Sequence, residues 1–367
     1  MIYLDYQATT PLAPEARRSM EPWLDRFGNP HSPHRPGREA KAAVEVAREQ
    51  VGGLFPPGGA LLFTSGATEA ANLAIKGAAW AAPPGRTRIV TLATEHACVL
   101  DSTRWLGARG FEAVVLPVEP DGLVDLDRLA RAVDGRTLLV AAMLVNNEIG
   151  VVQPVAEIGR IARAAGALFF CDAVQGFGRM ALPAADLIAV SAHKLHGPKG
   201  VGALWMRAGV ALEPLMHGGA QEGGLRSGTL SPALCAGFGA AVAVAQTRMA
   251  ADAAYVKALW ARAQDRLEGW TLNGSARQRY HGNLNLRREG LDAARLMADA
   301  RTVAFSAGSA CASGSGRPSH VLTALGLTER EARASIRLGF GRDTTAQELD
   351  DGLALILAAA ERQRAFA

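Results

Sequence analysis

Short runs of apolar residues alternate with longer segments of helical periodicity through the first two-thirds of the chain. The runs Leu61 to Phe63, Arg88 to Leu92, Ala113 to Leu116, Leu138 to Val145, Ala167 to Cys171 and Leu187 to Ser191 have the length of strands. Between them, Glu69 to Trp80 and Val155 to Ala165 repeat apolar residues at helical spacing. Such alternation is the pattern of βαβ units, in which helices cover a mostly parallel sheet. From about Ala233 to Leu267 the pattern is long and helical. Beyond it come short strands, around Asn283 to Leu286 and Ser335 to Phe340, with helices around Asp292 to Ala300, Ser319 to Leu325 and Ala346 to Arg362. A smaller α+β domain is therefore expected to follow a large α/β domain.

The length of 367 residues agrees with two unequal domains. With 49% hydrophobic and 20% charged residues, the chain has ample apolar content for a large core. The formal net charge is +4 and the basic residues are scattered, so no nucleic-acid partner is expected. Cysteines at 98, 171, 235 and 311 have neither metal-ligand spacing nor the density of a disulfide scaffold, which points to no metal and to a reducing cytoplasm. No signal-peptide pattern precedes Tyr3 and no apolar run looks long enough to span a bilayer, so no membrane association is expected.

Ligands of open α/β sheets bind beyond the carboxyl ends of the strands, so the residues after each run carry the candidate chemistry. After the first run, Thr64-Ser65-Gly66-Ala67-Thr68-Glu69 opens a helix, whose free N–H groups and dipole favour a phosphate near Ala67 and Thr68. Later runs lead to Thr94-Glu95-His96, Asn146-Asn147-Glu148, Asp172-Ala173-Val174-Gln175 and Ser191-Ala192-His193-Lys194. Taken singly, each cluster reads as a cap or turn. Capping, however, does not call for Lys, His and Asp together. Pyridoxal phosphate does, because a lysine holds it as a Schiff base while a carboxylate keeps its pyridine nitrogen protonated. Lys194 and Asp172 suit those roles. Ser191, His193 and Thr68 can donate to the phosphate, Gln175 and Asn147 to the phenolic oxygen, and His96 can stack on the ring as an acid or base. No Gly-x-Gly-x-x-Gly turn follows the first strand, which argues against a dinucleotide fold.

Cys311 lies within Ser306 to Gly316, a stretch of Gly, Ser and Ala with little bulk to pack. A thiol in such a loop is a candidate nucleophile, whereas Cys98, Cys171 and Cys235 sit in or beside apolar segments and are assigned to the core. Arg337, an isolated charge in the strand Ser335 to Phe340, needs a carboxylate, and an amino-acid substrate can supply one.

With these residues in hand, the chain resembles the bacterial cysteine desulfurases of the class V aminotransferase group, which have the type I fold of pyridoxal-phosphate enzymes. The resemblance runs nearly end to end. It is carried by Tyr3 to Pro11, Gly28-Asn29-Pro30-His31-Ser32, Thr64 to Glu69, Thr94-Glu95-His96, Val145 to Gly150, Ser191 to Gly200, Arg226-Ser227-Gly228-Thr229 and Ser309-Ala310-Cys311. It implies an N-terminal arm at 1–12 associated with the small domain, a large cofactor-binding domain at 13–250, and a small C-terminal domain at 251–367 carrying Cys311. It further implies that Lys194 forms the imine, that His96 stacks on the ring, that Asn147 and Arg337 bind substrate, and that Thr229 reaches the phosphate of a neighbouring subunit in a homodimer. Sulfur from L-cysteine would pass to Cys311 and then to an acceptor protein, an iron–sulfur scaffold or a sulfur carrier. The chain departs from the family pattern at Gly223, where a basic residue is usual, and at Ala307 and Ala312. Other readings on the same fold are an aminotransferase or a selenocysteine lyase. A catalytically silent assembly partner would be expected to lack Lys194 or Cys311.

Overall fold

The computed structural model describes residues 1–308 and 318–365, so Cys311 and Ala312 lie outside the described residues. The chain begins with a two-residue strand, Ile2–Tyr3 (β1), and then builds a seven-stranded sheet. Its strands are Gly59–Thr64 (β2), Arg88–Leu92 (β3), Glu112–Leu116 (β4), Thr137–Met143 (β5), Leu168–Asp172 (β6), Leu187–Ser191 (β7) and Gly202–Arg207 (β8), in the spatial order β2-β8-β7-β6-β5-β3-β4. The interior strand β5 is buried along its whole length, as a strand covered on both faces must be. Its residues alternate between the two layers: Val140 and Ala142 join one apolar cluster, Leu139 and Ala141 the other.

β8 is antiparallel to both of its neighbours, while β3, β4, β5, β6 and β7 pair in parallel. Two reversals return β2 to the common direction. The six apolar runs therefore all point the same way, and their carboxyl ends share one edge of the sheet. The strand that runs backwards, β8, is the one the apolar pattern does not single out. Its first residue closes the edge: a Cβ on Gly202 would lie 2.6 Å from the Val190 carbonyl oxygen and 2.8 Å from Gly66 Cα. Only a glycine lets the Thr64–Gly66 turn lie against this strand. The run Leu138 to Val145 also proves longer than its strand, because Leu144 and Val145 turn into the loop that carries Asn146 and Asn147.

Helices pack on both faces. Ala67–Trp80, rich in alanine, buries Ala70, Ala71, Leu73, Ala74 and Ile75 against the sheet. The helix Pro232–Gln264 has the length and apolarity of a membrane span, contrary to the expectation that no such segment exists. Here its Ala233, Cys235, Phe238, Ala241 and Val242 are buried, and it packs on helices Pro14–Met20 and Arg35–Gly52.

A second, antiparallel sheet has the order β12-β13-β10-β9, formed by Thr271–Leu272 (β9), Asn283–Arg287 (β10), Ser306–Ala307 (β12) and Ser335–Gly339 (β13). Val303–Ala304 (β11) pairs with β1 in parallel. The N-terminal segment belongs to both halves of the molecule. Leu4 is buried in the apolar cluster of the second sheet, whereas Thr10 and Ala13 donate backbone N–H groups to the carbonyls of His193 and His196.

Gly202→Ala is expected to lower the unfolding free energy by about 1–3 kcal/mol, since the added methyl must displace backbone rather than a flexible side chain. Urea titration followed by circular dichroism measures this, and an unchanged midpoint would show that the turn at Gly66 relaxes freely.

Candidate active site

Because the strands share a direction, the loops after β2, β3, β5, β6 and β7 surround one cavity of about 600 Å³. Ala67, Thr68, His96, Asn147, Asp172, Gln175, Ser191, His193, Lys194 and Arg337 all line it. Thr229 does not: it is exposed and stands outside the cavity wall.

Lys194 closes a single 3₁₀ turn, Ala192–Lys194, directly after β7. Its Nζ donates to the carbonyls of Gln7 at 2.5 Å and Ala8 at 2.8 Å. The turn is held from below, as Arg179 donates to the Lys194 carbonyl at 2.6 Å and the Thr10 hydroxyl and N–H both reach the His193 carbonyl at 2.9 Å. His196 adopts a left-handed φ of 59°, a strained position for a histidine. The Thr10 hydroxyl fixes it by accepting the His196 N–H at 2.7 Å. Gln7, Ala8 and Thr9 are site residues that the runs of apolar positions do not reveal, because they precede the first strand of the large sheet. Only the resemblance at Tyr3 to Pro11 marks them.

Asp172 ends β6, is 7% exposed, and accepts the Val174 N–H at 3.0 Å. Burial pushes its carboxyl up, opposed by His96 and Lys194. Beside it Glu95 is buried more completely, accepts the Met143 N–H at 2.8 Å and is pushed well above the usual carboxylate range by burial. Glu95 is thus a neutral buttress under the loop, while Asp172 faces the cavity. His96 caps the helix Ala97–Gly107, and burial lowers its pKa. Ala67 and Thr68 begin the helix Ala67–Trp80, whose first N–H groups have no partner within the helix. Glu69 ties this end down by accepting the Ser65 N–H at 2.7 Å and pairing with Arg226 at 2.7 Å, which anchors the segment that holds Thr229.

Two expectations are revised. Arg337, 1% exposed, finds its carboxylate inside the chain: Asp5 stands 2.8 Å from Nη2, Ser306 also accepts from that nitrogen at 3.2 Å, and the Asn147 carbonyl accepts from Nη1 at 3.0 Å. Its Nε is buried with no acceptor among the described residues. The second revision concerns Cys98. Cys171 and Cys235 are core residues, but Cys98 is only half-buried and lines the cavity beside His96. The sequence groups it with the core because its neighbours Val99 and Leu100 are apolar; it does pack against the apolar cluster that holds Val99, but its half-buried side chain also reaches the cavity at His96. Gln175, for its part, already spans the Gln7 carbonyl and Arg179 at 3.0 Å each.

This fold and this cavity define a recognisable class. The description of the class-V aminotransferases matches residues 2–351, and the chain belongs to that family, whose members are in general pyridoxal-phosphate enzymes. Within it the chain is one of the cysteine desulfurases: the cysteine desulfurase IscS of Rickettsia rickettsii (strain Iowa) is 44% identical over 381 aligned residues, covering 100% of this chain and 92% of the relative. Among solved structures, a NifS-like protein superposes with a TM-score of 0.91 at 31% identity, covering 98% of this chain and 99% of that one. A protein named SspA, solved in complex with cysteine, gives a TM-score of 0.80 at 34% identity over 93% of this chain and 99% of its own.

Burial, with Lys194 and Lys199 nearby, lowers His193 from 6.5 to about 4. As pH falls from 6.5 to about 4 the unfolded chain takes up a proton that the folded chain refuses, so this group makes stability decline through that window. His193→Gln is expected to flatten that decline in urea unfolding measured from about pH 7 to about pH 4. An unchanged slope would assign it to other groups.

Proposed function

We propose that this chain is a pyridoxal-phosphate-dependent cysteine desulfurase, which moves sulfur from L-cysteine to Cys311 and releases L-alanine. The observation that carries the proposal is the meeting, in one cavity, of a lysine, a buried carboxylate, a histidine and a helix N-terminus. That donor set fits the cofactor. A carboxylate that burial pushes up gains most from a protonated ring nitrogen, and unpartnered helical N–H groups suit a phosphate. Lys194 would anchor the cofactor, Asp172 would hold its pyridine nitrogen, and Ala67, Thr68, Ser191 and His193 would hold its phosphate. Asn147 and Gln175 would serve the phenolic oxygen and His96 the ring face. When bound, the cofactor supplies an electron sink for negative charge at the substrate α-carbon.

The remaining work falls to the chain itself. Arg337, braced by Asp5, presents a cation to the substrate carboxylate, and Asn147 stands beside it. Lys194 or His96 removes the α-proton and returns it. The Cys311 thiolate forms a bond to the substrate sulfur as the substrate's C–S bond breaks; the carbon fragment is reprotonated and leaves as alanine, and the enzyme keeps a persulfide. An iron–sulfur scaffold or sulfur carrier then takes the outer sulfur. Thr229, exposed beyond the cavity, would serve the phosphate of a second subunit in a homodimer. The solved SspA complex with cysteine supports the substrate. Residues 1–12, 13–250 and 251–367 are proposed as arm, large domain and small domain, consistent with an N-terminal segment that bonds to both sheets' surroundings.

The purified yellow protein incubated with L-cysteine is expected to yield sulfide and alanine. Cys311→Ser should retain the visible absorbance and lose sulfide release, whereas Lys194→Ala should lose that absorbance and about 100-fold or more in rate. Undiminished sulfide from Cys311→Ser would move the nucleophile elsewhere. Consumption of an amino-group acceptor such as pyruvate, with no sulfide formed, would make the chain a transaminase. Arg337→Ala is expected to raise KM for L-cysteine more than it lowers kcat; the reverse split in steady-state kinetics would remove it from the substrate carboxylate.

A further inference from the structure

His96 and Cys98 share the first turn of the helix Ala97–Gly107, and two groups of Cys98 converge on one atom of the histidine. The Cys98 backbone N–H donates to Nδ1 at 3.2 Å, and the Cys98 Sγ stands 3.0 Å from the same nitrogen. The thiol is protonated, since burial, with the Asp172 carboxylate nearby, pushes it far above its usual range. It has a hydrogen to give and is a poor anion. A ring nitrogen facing two donors must keep its lone pair, so the single proton of the neutral ring belongs on the other nitrogen.

We propose that Cys98 is a positioning residue: its thiol and its backbone N–H together hold His96 as the neutral imidazole protonated at Nε2. The consequence for proton movement at the substrate α-carbon rests on the function proposed above, but the tautomer itself does not. The other groups that act on the ring are Asp172 at the end of β6, Lys194 after β7, His320 on the helix His320–Ala324 and Asp101 on the ring's own helix. The two carboxylates favour a cationic ring, while Lys194 and His320 oppose it. Desolvation is the largest influence and also opposes it, so the neutral form prevails and the contacts at Nδ1 decide where its proton sits. Were the ring to gain a second proton, Nδ1–H would face the Cys98 backbone N–H and lose that bond, with only the weak acceptor Sγ left to receive it.

The test is tautomer-resolved NMR of the full chain carrying ¹⁵N-labelled histidine, with and without added pyridoxal phosphate; His96→Gln identifies the His96 signals. The wild type is expected to show an unprotonated Nδ1 and a protonated Nε2. Removing one neutral donor in Cys98→Ala should raise the protonation midpoint of His96 by about half to one pH unit and increase the Nδ1–H population. Cys98→Ser, which keeps a donor of similar reach, should restore the wild-type pattern, and the acid limb of kcat/KM for L-cysteine should move with the NMR midpoint. A wild-type ring protonated at Nδ1, or a Cys98→Ala midpoint equal to that of the wild type, would overturn the proposal. Should Cys98→Ala not fold, the wild-type and Cys98→Ser spectra still decide it. Loss of sulfide chemistry with the tautomer as described would sink the proposed function and leave this assignment standing.

Discussion

The common direction of six strands in the large sheet is the constraint from which the site follows. A parallel strand ends with its last peptide groups unpaired and its chain turning toward a helix, so every loop at that edge exposes backbone donors and small polar side chains. Five such loops converge here, and each brings a different group: helical N–H groups from Ala67 and Thr68, an imidazole from His96, amides from Asn147 and Gln175, a carboxylate from Asp172 and an amine from Lys194. None is adjacent in sequence to the next. The sheet makes them neighbours, and the one strand that runs backwards seals the edge by letting Gly202 lie against the Gly66 turn.

Within that cavity the charges are arranged by desolvation. Two carboxylates sit side by side, and the deeper one, Glu95, is kept neutral by burial and serves as a brace through the Met143 N–H. Asp172 is left with His96 and Lys194 as its electrostatic partners. Histidine 193 is also held neutral, which leaves it free to donate one ring hydrogen without adding a charge. The result is a pocket whose two lining imidazoles, His96 and His193, are kept uncharged while its charges sit on Glu69, Asp172, Lys194, Lys199 and Arg337.

The N-terminal segment couples the two halves of the molecule. Its Asp5 neutralises the buried Arg337 of the small sheet, two residues on Gln7 gives its carbonyl to Lys194, and Thr10 secures the turn on which Lys194 rides. A buried arginine without a fixed partner would be costly; here one short stretch of chain satisfies it and orients the lysine as well. The guanidinium at the cavity wall is thereby held in place.

The sequence by itself determined the periodicities, and with them most of the elements: strands Arg88–Leu92 and Leu187–Ser191 lie where the apolar runs place them, and the others differ by a residue or two at their ends. It also placed Lys194, Asp172 and His96 in the segments that follow buried runs, where the three residue types together exceed what capping calls for. Tertiary structure alone decided what those residues meet. The partner of Arg337 proved to be Asp5, 332 positions away in the chain, and no local pattern reports a contact of that span. Cys98 was read as core because burial preference is a property of the residue type, while the direction a side chain faces depends on how its helix is rotated against the sheet. Strand β8 escaped notice for a related reason: a reversed strand beginning at a crowded glycine is specified by its neighbours' backbones, and side-chain periodicity carries no record of them.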